Sequence, residues 1–211
     1  YEASVIEVDE SGTKLSDTFL EKIKGTASKG ILMVEGASAT TNRLWLEIWN
    51  NGNKLLQKDM LLSVNGVEEM YRWINLRHVT GGDEDRATEI KNEPANYPDE
   101  LCNGKHVVFA HGFNVTETGA RGTTAEVFKR LYQSGSRAMF TGVTWQGDET
   151  PGILPPGAYY HADVINAFQA ASALASQVAA LPGQKYVAAH SLGNMVASSA
   201  IVDHGLNPAR Y

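Results

Sequence analysis

Apolar and polar residues recur with different periods in the two halves of the chain. Over residues 43–49, Leu44, Leu46 and Ile48 fall on one side and Trp45, Glu47 and Trp49 on the other. That period of two predicts a strand. Asn51-Gly52-Asn53 follows, and Asn-Gly takes the positive φ of a tight hairpin turn at little cost. Residues 54–64 resume the alternation with Leu56, Met60, Leu62 and Val64. Asn65-Gly66 marks another turn, and residues 69–77, with Ile74 and Leu76, read as a further strand. Residues 4–8 and 30–34 are short apolar runs, and only residues 17–24 have a helical look. Residues 1–80 are therefore expected to form a small antiparallel β-domain, a sandwich or part of one. Residues 81–104 are polar, carry Gly81, Gly82, Pro94 and Pro98, and read as a linker.

The pattern changes after residue 105. Continuous apolar runs at 106–110, 138–145 and 186–189 alternate with three-four spacing over 123–133, 160–181 and from 192 to about 204. Unbroken apolar strands are those covered on both faces. Strand-helix alternation predicts a parallel sheet, whose reactive groups gather at the carboxyl ends of the strands. Two such ends carry unusual sequence, His111-Gly112-Phe113-Asn114 and His190-Ser191-Leu192-Gly193. In the second, a strand runs into a helix with Ser191 at the corner. Ala189 and Gly193, two before and two after, are the small residues that a sharp strand-to-helix turn needs. The loop over 146–159 is rich in Gly and Pro and reads as a lid with Tyr159 and Tyr160 lining it, or as a plain surface loop.

Composition narrows the function classes. The 211 residues allow one large domain or two small ones. Net charge is -6 with no cluster of Lys and Arg, which argues against a nucleic-acid surface. No apolar run reaches the length of a membrane span. The chain opens on Tyr1, without a visible signal peptide, and reads as a piece of something longer; the β-rich half leans towards an extracytoplasmic setting. Cys102 is the single cysteine, which excludes an intrachain disulfide and a Cys-rich metal site, and it reads as structural rather than reactive. His78 has no second His or acid at ligand spacing, so no metal or cofactor is expected. Trp45, Trp49, Tyr71 and Trp73 read as core and sheet-face packing; an exposed aromatic platform for a sugar or partner is the alternative.

With these motifs in place, residues 105–211 resemble the front half of an α/β-hydrolase of the lipase/esterase type. The His111-Gly112 pair is similar to the oxyanion loop of that family. Ala189-His190-Ser191-Leu192-Gly193 is similar to its nucleophile elbow, with Ala189 where Gly is usual. The resemblance implies a doubly wound, mostly parallel sheet and a small acyl or ester substrate. It implies Ser191 as nucleophile and the backbone N–H groups of Leu192 and Phe113 as oxyanion donors. His111, Gly112 and Gly193 form the supporting loop. The Leu192 N–H sits at a helix start, where the dipole favours an anion. His111 is read as shaping the loop rather than as the base, and His190 as pointing away from Ser191.

A serine hydroxyl is a weak nucleophile without a base. In this family the acid and the His follow the serine, and only Asp203 and His204 do so here as candidates. They fall near the end of the helix that starts at Ser191, roughly 18 Å along its axis. They are rejected; Asp148, His161 and Asp163 come before the serine, on or beside the Gly/Pro loop, where only a non-standard triad could use them. The three parallel strands also leave the Ser191 strand as an exposed edge. The acid, the base and the remaining strands are therefore expected on a continuation of the chain or on a second chain. The expected function is hydrolysis of a carboxylic ester or related acyl group; the alternative is a catalytically inactive binding or structural module on a hydrolase scaffold.

Overall fold

The computed structural model describes residues 7–24, 30, 32, 34–81, 89–149 and 159–211. The expected strands at 4–8 and 30–34, and most of the loop over 146–159, lie wholly or partly outside the described residues. The chain divides into two units, residues 1–36 and 37–211. Among its described residues the first holds one short helix, α1 (Asp17–Ile23), capped by the Ser16 side chain, which accepts the Phe19 N–H. It buries no residue.

In the second unit, β1 (Arg43–Asn50) and β2 (Asn53–Leu61) form an antiparallel hairpin. Asn51 and Gly52 make its turn at φ 47° and 78°, the left-handed pair that suits the strand twist. Cross-strand ties are polar: Arg43 pairs with Asp59, and Lys54 Nζ lies 2.9 Å from Glu47.

A four-stranded sheet carries the rest, in the order β3 (Arg72–Asn75), β5 (Met139–Thr144), β4 (Lys105–Ala110), β6 (Gln184–Ala189), every pairing parallel. With the hairpin and the helices this is a mixed α/β fold. The expectation of an antiparallel strand over 69–77 is corrected. Residues Val67–Met70 form a 3-10 turn, and β3 joins the parallel sheet beside β5. All four residues of β3 are buried, which an edge of a half-exposed antiparallel sheet could not provide. The parallel strands thus number four among the described residues, not three. Part of the expected linker is also structural. Ile90 bridges Trp73, the Arg72 guanidinium forks onto Asp99 at 2.9 and 2.8 Å, and Tyr97 is buried.

Helix α2 (Glu117–Gln133) starts six residues before the expected 123, because the Thr116 hydroxyl accepts the Gly119 N–H at 3.1 Å. Ala120, Thr124 and Phe128, four apart, form its buried face. Helices α3 (Tyr160–Ala179) and α4 (Gly193–Val202) pack on each other on the opposite side of the sheet. Alternation along the strands feeds two cores. Ile74, Val108 and Val143 meet Leu174, Val178 and Val196 under α3 and α4. Trp73, Phe109 and Phe140 meet Phe128 under α2, with Tyr71 at 5.2 Å from Phe128 and 5.7 Å from Phe140 between ring centres.

Two features of the sheet position the site. First, Ala110 lies opposite both Ala189 and Val143, and Ile74 opposite Val143, so four strands end level. Their following loops share one edge. Second, β6 is not a bare edge throughout. Tyr186 bridges Arg210 in parallel, the Val187 N–H donates to Arg210 O at 3.0 Å, and the Ala209 N–H donates to Lys185 O at 2.8 Å. Since β4 holds one side of β6, residues 209–210 occupy the next strand position on the other.

Candidate active site

The corner between β6 and α4 is strained. Ser191 has φ 51°, in the left-handed region that residues with a Cβ avoid. A serine held there by the sheet on one side and the helix on the other turns the chain within two residues. The exposed Ser191 side chain stands at the carboxyl edge of the sheet. Asn194 fastens the corner: its Nδ2 donates to Ser191 O at 2.9 Å and to Ala189 O at 3.3 Å. The Tyr211 hydroxyl donates to Asn194 Oδ1 at 2.8 Å, holding that amide in its place.

The two sequence motifs meet here, and glycine is the reason they can. A Cβ on Gly112 would lie 2.9 Å from Ser191 Cβ, from His190 O and from His190 Nδ1. A Cβ on Gly193 would lie 2.3 Å from His111 O and 3.0 Å from Ala110 O. The loop after β4 and the start of α4 therefore approach more closely than any other residue at 112 or 193 permits. His190 is exposed, with its ring beside Gly112.

His111 is buried and fully engaged. The Trp145 N–H, which can only donate, lies 3.2 Å from His111 Nε2, so Nε2 is an acceptor. The Thr144 hydroxyl shares that nitrogen at 3.2 Å. The proton is then on Nδ1, which donates to Gly112 O at 2.9 Å. Trp145 adds a donation from Nε1 to His111 O at 2.9 Å and stacks on the imidazole with centres 5.6 Å apart. Burial pulls the His111 pKa down to about 4, against the Gly112 carbonyl bond that raises it. The ring is neutral near pH 7 and has no free lone pair, so it is not a general base.

This bond sets a peptide plane. Across a trans peptide, C=O and N–H point in opposite directions, and there is no cis bond among the described residues. His111 draws the Gly112 C=O inward, so the Phe113 N–H is turned the other way. Among the described residues that N–H has no acceptor, and neither has the Leu192 N–H. Asn114 follows at φ 55°, with its N–H donating to Gly147 O at 2.5 Å. Asn tolerates this conformation better than most residues. Two backbone donors, one next to Ser191 in the chain and one next to Gly112, thus have no acceptor among the described residues.

The acid-base side is different. Ser191 Oγ has no hydrogen-bond partner among the described residues. Asp203 ends α4 and accepts the Ser199 hydroxyl at 2.7 Å, with His204 just beyond, at the far end of the helix from Ser191. Asp148 pairs with Arg77 at 2.5 Å. Asp163 is buried in the first turn of α3; its Oδ1 accepts the Glu149 N–H at 3.0 Å, and Oδ2 has no partner among the described residues. Burial raises its pKa, helped by Glu149 and Asp148, while the Glu149 N–H bond and Arg77 act the other way. His161 is exposed on α3. None of these is hydrogen-bonded to the serine.

The remaining candidates fall outside the site. Cys102 is half-buried, donates to Pro98 O at 3.7 Å, and burial raises its pKa, which disfavours the thiolate. The aromatic set divides: Tyr71 and Trp73 are core, Trp45 and Trp49 exposed. Among the described residues no group of His, Cys, Asp and Glu could hold a metal ion, and no helix is long and apolar enough to cross a membrane. Residues 144, 145 and 147, and the ties they make to His111 and Asn114, have no signature in the sequence beyond a Trp and a Gly at a strand end. No protein-family model, curated protein or solved structure matches the chain.

Proposed function

We propose that this chain carries the nucleophile and oxyanion half of a serine hydrolase acting on carboxylic esters or related acyl groups. The observation behind it is Ser191 at φ 51° between β6 and α4, with Gly112 close against it and the Leu192 and Phe113 N–H groups without an acceptor among the described residues. Ser191 attacks the acyl carbon, and the Leu192 and Phe113 N–H groups receive the negative charge that forms on its oxygen. Each such donor contributes about 3 kcal/mol to lowering the barrier. His111, Gly112 and Gly193 hold the donors, as an α/β-hydrolase would. The acid and base come from outside these residues, on a continuation or a second chain that also extends the sheet beyond β6. The parallel start at residues 209–210 marks where such a strand would lie.

An inactive binding module on the same scaffold is the second reading, favoured by the unpartnered Ser191 hydroxyl and by the exposed Trp45 and Trp49 on the hairpin. Hydrolysis of p-nitrophenyl esters by the complete protein separates the two. The hydrolase reading expects turnover that falls to background in Ser191→Ala. Turnover unchanged by that substitution, or none at all, leaves the binding module.

A further inference from the structure

The turn after β5 is held by a buried cation from another loop. The Arg77 guanidinium, buried after β3, donates from one nitrogen to Trp145 O at 3.2 Å and from the other to Asp148 Oδ1 at 2.5 Å. One fork therefore spans residues 145–148, a geometry that a lysine ammonium cannot copy. Within that span, Gly147 O accepts the Asn114 N–H, and the Trp145 indole holds His111 O. The peptide between Gly112 and Phe113 is thus braced on both sides, by His111 before it and by Asn114 after it. Both braces lead back to the same clamped turn.

We propose that Arg77 and Asp148 are a positioning pair for the Phe113 N–H. They touch no substrate. They fix residues 145–148, which fix Asn114 at positive φ and His111 in its tautomer, and so aim the donor. The proposal rests on the hydrolase reading of Ser191 and extends it to two charged residues from separate loops. A charged pair is well suited to this task. Desolvation makes breaking it costly, because removal of either partner leaves the other charge buried. The donor is then preorganised before substrate arrives, which is the source of oxyanion stabilisation.

The test uses the complete protein with Arg77→Lys, Arg77→Met and Asp148→Asn. The ester kcat is expected to fall at least tenfold in Arg77→Met and Asp148→Asn, with KM changed less than threefold, and by an intermediate factor in Arg77→Lys. Affinity for an alkyl boronic acid, whose tetrahedral adduct on Ser191 places an oxygen among the donors, falls by the same factor as kcat/KM. Hydrogen exchange of the Asn114 amide speeds up at least tenfold. A purely structural pair would lower the melting temperature and leave kcat and boronate affinity of the folded protein alone. Should Arg77→Met fail to fold, Asp148→Asn carries the same measurements, since it keeps the side-chain shape. Intact Ser191 labelling by a fluorophosphonate, with kcat, boronate affinity and Asn114 exchange within twofold of wild type, overturns the proposal alone. Absence of labelling in the wild-type protein overturns the hydrolase reading and the proposal with it.

Discussion

The hairpin and the parallel sheet are built from similarly apolar strands, yet they meet water in opposite ways. In β1 and β2, Leu46 is 51% exposed, Trp49 55% and Leu61 69%, so both faces of the hairpin are open. In β3 and β5, Ile74 and Val143 are within 1% of complete burial. The hairpin is closed by a local turn and by surface ion pairs, which contribute little each. A two-stranded hairpin alone is marginal in water. The sheet is sandwiched between α2 and the α3–α4 pair, and every loop at its carboxyl edge is tied to another. Chemistry that needs donors placed to a fraction of an ångström belongs on the second kind of support. All the residues proposed for acyl transfer are there, and the hairpin supplies none.

The contrast can be broken most severely with acid. His106 and His111 are both buried in the sheet region, and burial pulls each pKa from 6.5 to about 4. His106 donates from Nδ1 to Pro182 O at 2.9 Å and accepts the Thr141 hydroxyl at 2.7 Å. Between pH 6.5 and 4 the unfolded chain binds a proton on each ring and the folded chain does not. Stability is therefore full above pH 6.5 and falls as the pH drops towards 4, by about 3 kcal/mol per ring. Urea melts at pH 7, 5.5 and 4.5 measure this. The dependence should shrink in His106→Gln. Stability that is flat over this window would show that the rings are not held neutral.

The next effect concerns the close approach of helix and loop. Gly193→Ala places a methyl group against His111 O and is expected to cost about 3 kcal/mol, as overpacking against a backbone does. It should also lower any Ser191 reactivity, whereas an alanine at hairpin Gly52, where nothing lies in the way of a Cβ, costs about 1–2 kcal/mol from its positive φ alone. Denaturant midpoints of the two variants give the comparison directly, and equal losses would remove the distinction.

Smaller, and opposite in sign, is the relief of strain at the elbow. Ser191→Gly is expected to stabilise the protein by up to about 1 kcal/mol, because glycine takes φ 51° without penalty. Stability gained where a side chain is lost marks a residue kept for something other than folding. A loss on this substitution would mean that the Ser191 conformation is not strained. Smallest of all, Trp45→Ala and Leu46→Ser on the hairpin should shift stability by about 0.5 kcal/mol or less. A loss of several kcal/mol would mean that those faces are covered in the folded protein.

What could be read from the sequence follows from the range of the interactions. The Ser191 corner was legible because its requirements are local: a strand, two small residues and a helix within a dozen positions. The hairpin was legible for the same reason, with Asn51-Gly52 as the turn. The fate of β3 was not. Its alternation says strand, but parallel pairing with β5 depends on a partner about 70 residues away. The segment after it looked like a linker because Arg72–Asp99 and Trp73–Ile90 also join distant residues. In the site, His111 could be recognised as a loop histidine, but its tautomer is set by Thr144 and Trp145 from another strand. The positive φ of Asn114 and the span of Arg77 over 145–148 likewise arise only in the folded chain. The N-cap at Thr116 was hidden because Gly119 and Gly122 dilute the first turns of α2 as a helical pattern.

The central claim is that Ser191 is a placed nucleophile. The most direct measurement is covalent labelling of the complete protein by an alkyl fluorophosphonate, with the modified peptide mapped by mass spectrometry. The expected result is one adduct, on Ser191, that disappears in Ser191→Ala and is slowed by Gly112→Val. No adduct, or one that persists in Ser191→Ala, would contradict it.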